Sequence, residues 1–123
     1  MHMKQFLNTI ENFIPKERIY TDAMRRLAWG TDASFYRLVP QVVIASKNED
    51  EVCHILFEAN KSQTAITFRA AGTSLSGQAL SESVLLVAGN RWENYKLAPD
   101  ASSISLQPGI VGQRVNEILK PYG

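Results

Sequence analysis

The chain has 123 residues, with 13 Lys plus Arg against 12 Asp plus Glu, and it is 45% apolar and 20% charged. Those values exclude a disordered, collagen-like or coiled-coil chain, and the near-zero balance gives no electrostatic basis for binding duplex nucleic acid or an anionic membrane. A lone cysteine, Cys53, and two separated histidines exclude an internal disulfide and a zinc or iron–sulfur ligand set.

Phe6, Leu7, Ile10, Phe13 and Ile14 recur at helical spacing ahead of Pro15, which predicts a short amphipathic helix over 4–14. Thr21 and Asp22 are good caps for a second helix carrying Met24, Leu27, Ala28 and Trp29, with Gly30 placed to end it and Arg25 and Arg26 on a solvated face. Val42 to Ala45 is a continuous apolar, β-branched run and reads as a strand buried on both faces. Ser46 and Glu49 have the spacing of a capping box. The helix they start has Val52, Ile55, Leu56 and Ala59 on its apolar face, with Glu51, Glu58 and Lys61 pointing elsewhere. Ala65 to Phe68 then reads as a second strand, completing a βαβ unit with parallel strands.

A Gly/Ser/Ala-rich loop leads to a third strand at Val84 to Val87. Tyr95 to Ala98 and Ile104 to Gln107 suit a hairpin across Pro99-Asp100-Ala101, and Val111, Val115, Ile118 and Leu119 form a last helical stripe before Pro121. The expected fold class is α/β (α+β), with N-terminal helices over 1–30 followed by a βαβ unit and a small mixed sheet over 31–123. The longest apolar runs fall far short of the roughly 18 residues of a membrane span. With no signal-like opening segment, a cytoplasmic location is expected.

Ala70, Ala71, Gly72, Thr73, Ser74, Leu75, Ser76, Gly77 and Gln78 form the segment whose composition packing alone does not explain. Small residues let the backbone approach a ligand, consecutive N–H groups form a nest for oxyanions, and three hydroxyls add donors. A surface connection with no ligand is the competing reading. Gly72 to Gly77 has Walker A glycine spacing, but Gln78-Ala79 stands where Lys and Ser or Thr belong, so an ATPase is not supported. Neither a Rossmann fingerprint nor a hydrolase elbow is present.

This loop, with Pro40 to Ile44 before it and Gln107-Pro108-Gly109 after it, resembles the FAD-binding domain of the vanillyl-alcohol oxidase and p-cresol methylhydroxylase family. The branch it is most similar to is that of FAD-linked 2-hydroxyacid (D-lactate and glycolate) dehydrogenases. The resemblance covers residues 30–123, and Thr31 to Ser34 looks like the family's entry segment. It implies FAD as cofactor, with the amides of Ala71 to Ser74 cradling the diphosphate, Ser76, Gly77 and Gln78 completing the pocket, and Pro108 and Gly109 in a nearby turn. Relatives commonly carry Gly at the position of Ala70, and members with covalent flavin often carry His at that of Thr73, so the FAD here is expected to be non-covalent. The resemblance also implies partners in the remainder of the FAD-binding domain and a substrate domain, which makes this chain the first part of a longer site. Alone it is expected to be inactive and at best a weak FAD binder. Two non-redox readings stand beside this one: a module for another diphosphate or anion, and a structural module that docks by its third-strand and last-helix faces.

Single residues divide similarly. His54 is expected to be structural, Cys53 a small buried apolar residue, and Trp29, Phe35 and Tyr36 core aromatics that could otherwise stack on adenine. Arg69 either faces phosphate or ends its strand at the solvent edge.

Overall fold

A computed structural model of the chain describes residues 2–89 and 92–123. The first helix, α1, spans His2–Ile10. It stops earlier than its apolar spacing predicts because Asn12 and Phe13 donate to carbonyls three residues back (Thr9 and Ile10), tightening the last turn before Pro15. A 3-10 turn over Lys16–Arg18 leads into a short strand, β1, Ile19–Tyr20, which its two residues did not announce. Helix α2 spans Ala23–Ala28 and is capped as expected: the Asp22 carboxylate accepts from the Arg25 N–H at 3.0 Å. Arg26 is not on a solvated face, since its Nε donates to the Pro40 carbonyl at 2.6 Å.

Strand β2, Val42–Ser46, precedes helix α3, Glu49–Lys61. The cap of α3 is Asn48, not Ser46: its side chain accepts from the Glu51 N–H at 2.9 Å, while the Glu51 carboxylate accepts from the Lys47 N–H at 2.9 Å. Ser46 is the last residue of β2, and its hydroxyl donates to the Val87 carbonyl at 3.0 Å. Removing the cap in Asn48→Ala is expected to cost about 1 kcal/mol, read as a lowered urea midpoint with an unchanged slope.

Strands β3, Ile66–Arg69, and β4, Val84–Ala88, complete a four-stranded sheet ordered β1-β2-β4-β3. The βαβ unit is parallel as expected, but its two strands are not neighbours: β4 lies between them, parallel to both, and β1 joins β2 antiparallel. Composition explains the order. All of β4 is buried and suits a central position, whereas β3 carries Thr67 and Arg69 and an exposed Phe68, which suit an edge.

Val42, Ile44, Val84 and Leu86 pack on one face of the sheet against Phe6 and Ile10 of α1, Ile14, and Ile55 and Ala59 of α3. Val43, Leu85 and Val87 form a smaller cluster on the other face, with Tyr20 and Trp29 against it. The α3 stripe is rotated from the expected one. Leu56 is exposed and Glu51 is buried, because Arg18 reaches across and forms a two-bond fork with it, each bond 2.7 Å.

Strands β5, Tyr95–Leu97, and β6, Ile104–Leu106, pair as the expected hairpin. Helix α4, Gly112–Leu119, follows, and Pro121 lies in a closing 3-10 turn over Lys120–Tyr122. None of the residues of α4 is fully buried. Since β4 is wholly buried, the third strand offers no docking face.

Candidate functional site

In a parallel sheet the carboxyl ends of the strands form the edge where ligands bind, because loops there leave the sheet together with their backbone donors exposed. The 70–78 loop leaves β3 at that edge. Gly109 sits at the same edge, beyond the adjoining strand β4: its N–H donates to the Trp92 carbonyl at 2.9 Å, and a Cβ there would stand 2.3 Å from the Gly89 carbonyl oxygen. Trp92 is anchored beside β2 by its indole N–H, which donates to the Ser46 carbonyl at 2.9 Å. Sheet, loop and the Pro108-Gly109 turn are thereby brought to one edge. Asn90 and Arg91 lie outside the described residues.

Within the loop, Gly72 and Gly77 have φ of +73° and +75°, the left-handed region that glycine enters without steric cost. Among the described residues, nothing accepts a hydrogen bond from the backbone N–H groups of Ala71, Gly72, Thr73 and Ser74. The Ser74 hydroxyl, expected as a ligand donor, instead closes the loop from within, accepting from the N–H groups of Ser76 and Gln78 at 3.2 and 3.1 Å. Leu75, Ser76 and Gln78 are exposed, and Ala70, Ala71 and Thr73 are too. Tyr36 covers Gly77, where a Cβ would meet its ring at 3.0 Å.

Arg69 ends β3, but its side chain is not turned out to the solvent edge. Its side chain turns inward under the loop and donates from Nη1 to the carbonyls of Thr31 and Trp29, at 2.7 and 3.3 Å, with its guanidinium 5.0 Å from the Trp29 ring centroid. Burial pushes its pKa below the usual value, and the Asp32 carboxylate opposes that shift. Asp32 itself accepts from the hydroxyl and N–H of Ser34, which hold its carboxyl below the usual range against desolvation, with smaller help from the Ala79 N–H and the Arg69 charge.

The remaining candidates divide. Trp29 packs against the smaller core cluster, but Phe35 and Tyr36 are exposed and not core. Cys53 is exposed, not buried. His54 stands edge-on to the Phe13 ring at 5.3 Å, a structural contact. Among the described residues there is no His/Cys/Asp/Glu group able to hold a metal and no helix long and apolar enough to cross a membrane.

Amides without acceptors on a glycine-bearing loop, at the carboxyl edge of parallel strands, are an arrangement that can hold an anionic group. The match to a family model over residues 40–123 makes the assignment particular: this chain belongs to the family described as FAD binding domain. The free donors and small residues of the loop fit a diphosphate-bearing cofactor, and FAD is the cofactor the family holds.

The chain is 26% identical over 123 residues to D-2-hydroxyglutarate dehydrogenase of Pseudomonas putida, an alignment covering 97% of this chain and 12% of that protein. It is 29% identical over 120 residues to glycolate oxidase subunit GlcD of Escherichia coli, covering 96% of this chain and 22% of that one. Among solved structures, alkyldihydroxyacetonephosphate synthase superposes with a TM-score of 0.80 at 16% identity, and p-cresol methylhydroxylase with 0.77 at 8%. In each case 98% of this chain and 25% of the other is covered, and these likenesses concern the fold. The chain therefore spans about an eighth to a quarter of the length of the relatives it matches.

Proposed function

We propose that the amides of Ala71 to Ser74, within the Ala70 to Gln78 loop, hold the diphosphate of FAD without a covalent link, with Pro108 and Gly109 in a turn near the cofactor, in a flavin-dependent oxidoreductase that oxidises a 2-hydroxy acid such as D-lactate or glycolate. Residues 31–123 supply this part of the cofactor site, and 1–30 support it from the sheet: α1 packs on the main core and β1 joins β2. The observation that carries the reading is the run of N–H groups at Ala71 to Ser74 without internal acceptors, next to a left-handed Gly72. Hydrogen bonds to a charged group contribute roughly 1.5 to 3 kcal/mol each, so a few such amides suffice for a diphosphate without a lysine. Thr73 supplies no ring nitrogen for flavin attachment, which supports a non-covalent cofactor. The substrate class is supported by the relatives' names, which refer to D-2-hydroxyglutarate and glycolate, both 2-hydroxy acids. When bound, flavin supplies the hydride acceptor, while the chain's own part is to bind and orient it.

Calorimetric titration with FAD, ADP and pyrophosphate tests this reading. FAD binding more tightly than either of the others is expected, and equal affinities would indicate a general anion module; a longer protein carrying the rest of the domain that retains no flavin after incubation with FAD would refute the flavin site. In Gly72→Val the branched side chain must enter the left-handed region against the Arg69 guanidinium, 2.3 Å from the Cβ position. FAD affinity is expected to fall by at least about tenfold, equivalent to about 1.4 kcal/mol, in the same titration.

A further inference from the structure

We propose that Arg69 is a positioning residue that holds the 70–78 loop in its anion-binding form from beneath, and that it does not ligate phosphate. This rests on the diphosphate reading of the loop. Arg69 is the last residue of β3 and shares its register position with Val87, so the ladder fixes the point from which its side chain leaves the sheet. From there the guanidinium runs under the loop and not out into solvent. A Cβ on Gly72 would lie 2.3 Å from Nη2, 2.4 Å from Cζ and 2.6 Å from Nε, so the flat cation occupies the space that any other residue's side chain would need. Gly72 is required for its φ of +73°, and a Cβ there would in addition push the guanidinium tip off its carbonyl partners.

The other side of the guanidinium is tied to the segment before β2. Nη1 binds the carbonyls of Thr31 and Trp29, the group stacks at the Trp29 ring, and the Gly72 carbonyl accepts from the Ala33 N–H at 3.2 Å. Strand end, loop and entry segment are joined through one side chain. Nη1 of Arg69 is taken up by these carbonyls, while Nε and Nη2 lie against the Gly72 backbone, beneath the loop and not on its outer side. Its Nε and the Asp32 Oδ2 are both buried without a hydrogen bond among the described residues. No ion pair joins Arg69 and Asp32 among the described residues. A guanidinium, with donors in fixed directions and a flat face at the Trp29 ring, suits this place, and a lysine ammonium has the donors but lacks the flat face and the fixed directions.

The test uses the 123-residue chain with Arg69→Met and Arg69→Lys, reading 15N order parameters at Ala71 to Ser74 and in β4, and FAD affinity by titration. The proposal expects the loop order parameters to drop in Arg69→Met from rigid values to below about 0.6 while those of β4 stay unchanged. FAD affinity should fall about tenfold through loss of the two carbonyl bonds, with Arg69→Lys in between. It is overturned if Arg69→Met leaves loop order and FAD affinity within twofold of the parent, if loop and β4 loosen equally, or if Lys restores parental values. Should Arg69→Met not fold, the Lys variant decides by the same comparison. If the parent chain binds no measurable FAD, the order parameters alone decide the role of Arg69, and a longer protein that retains no flavin is what sinks the flavin reading.

Discussion

Glu51→Ala is expected to destabilise the chain by about 3 kcal/mol, the lower end for breaking a buried ion pair. Arg18 and Glu51 are each only 9% exposed and share two bonds of 2.7 Å, and Arg18 also donates to the Ala45 carbonyl at 2.9 Å. Truncating the carboxylate leaves a buried guanidinium with a single carbonyl partner and removes the acceptor for the Lys47 N–H at the start of α3. Against a total stability of roughly 5–15 kcal/mol for a domain, that is a large share. Urea unfolding monitored by circular dichroism measures it.

The same pair sets a pH dependence. Burial pushes the Glu51 carboxyl up, but the Arg18 fork and the Lys47 N–H together outweigh it and hold the pKa below the usual value. A carboxyl depressed on folding stabilises fully above its unfolded value of about 4.3 and loses that contribution as the pH falls through its folded value. Stability should therefore decline in that acid window, and the decline should be shallower in Glu51→Gln.

Gly109→Ala is the second large effect. The new methyl would stand 2.3 Å from the Gly89 carbonyl oxygen and 2.8 Å from that of Trp92. Both obstacles are backbone, so no side-chain rotation relieves them, unlike the contact of Gly77 with the Tyr36 ring. The turn must move away from the carboxyl edge of β4, straining the Gly109–Trp92 hydrogen bond and, through the indole, the bond to Ser46. A loss of about 1–3 kcal/mol is expected, the usual scale of overpacking. A change in tryptophan fluorescence at the native baseline should accompany it.

The residues that were legible in advance are those whose role is local. The apolar run of β2, the hairpin with its Pro99-Asp100-Ala101 turn, the Asp22 cap and the glycine loop all declare themselves within a few neighbours. What could not be read depends on distant partners. Ser46-x-x-Glu49 and Asn48-x-x-Glu51 fit a helix start equally well, and only the ladder with β4, which claims Ser46, decides for Asn48. Glu51 looked like a surface carboxylate because its partner Arg18 lies in another element. Arg69 turned inward for carbonyls nearly forty residues earlier in the chain. The insertion of β4 between β2 and β3 likewise follows from burial, a property of the whole sheet. The loop's composition signalled free amides, but not that the Ser74 hydroxyl would be consumed inside the loop.

The claim on which the account turns is that the amides of Ala71 to Ser74 hold the cofactor's diphosphate. An amide 1H–15N spectrum of the chain titrated with FAD tests it residue by residue and tolerates weak binding. The account predicts saturable shifts concentrated at Ala71, Gly72, Thr73 and Ser74, with smaller ones near Gly109. Shifts confined to other parts of the chain, with these four amides unmoved, would contradict it.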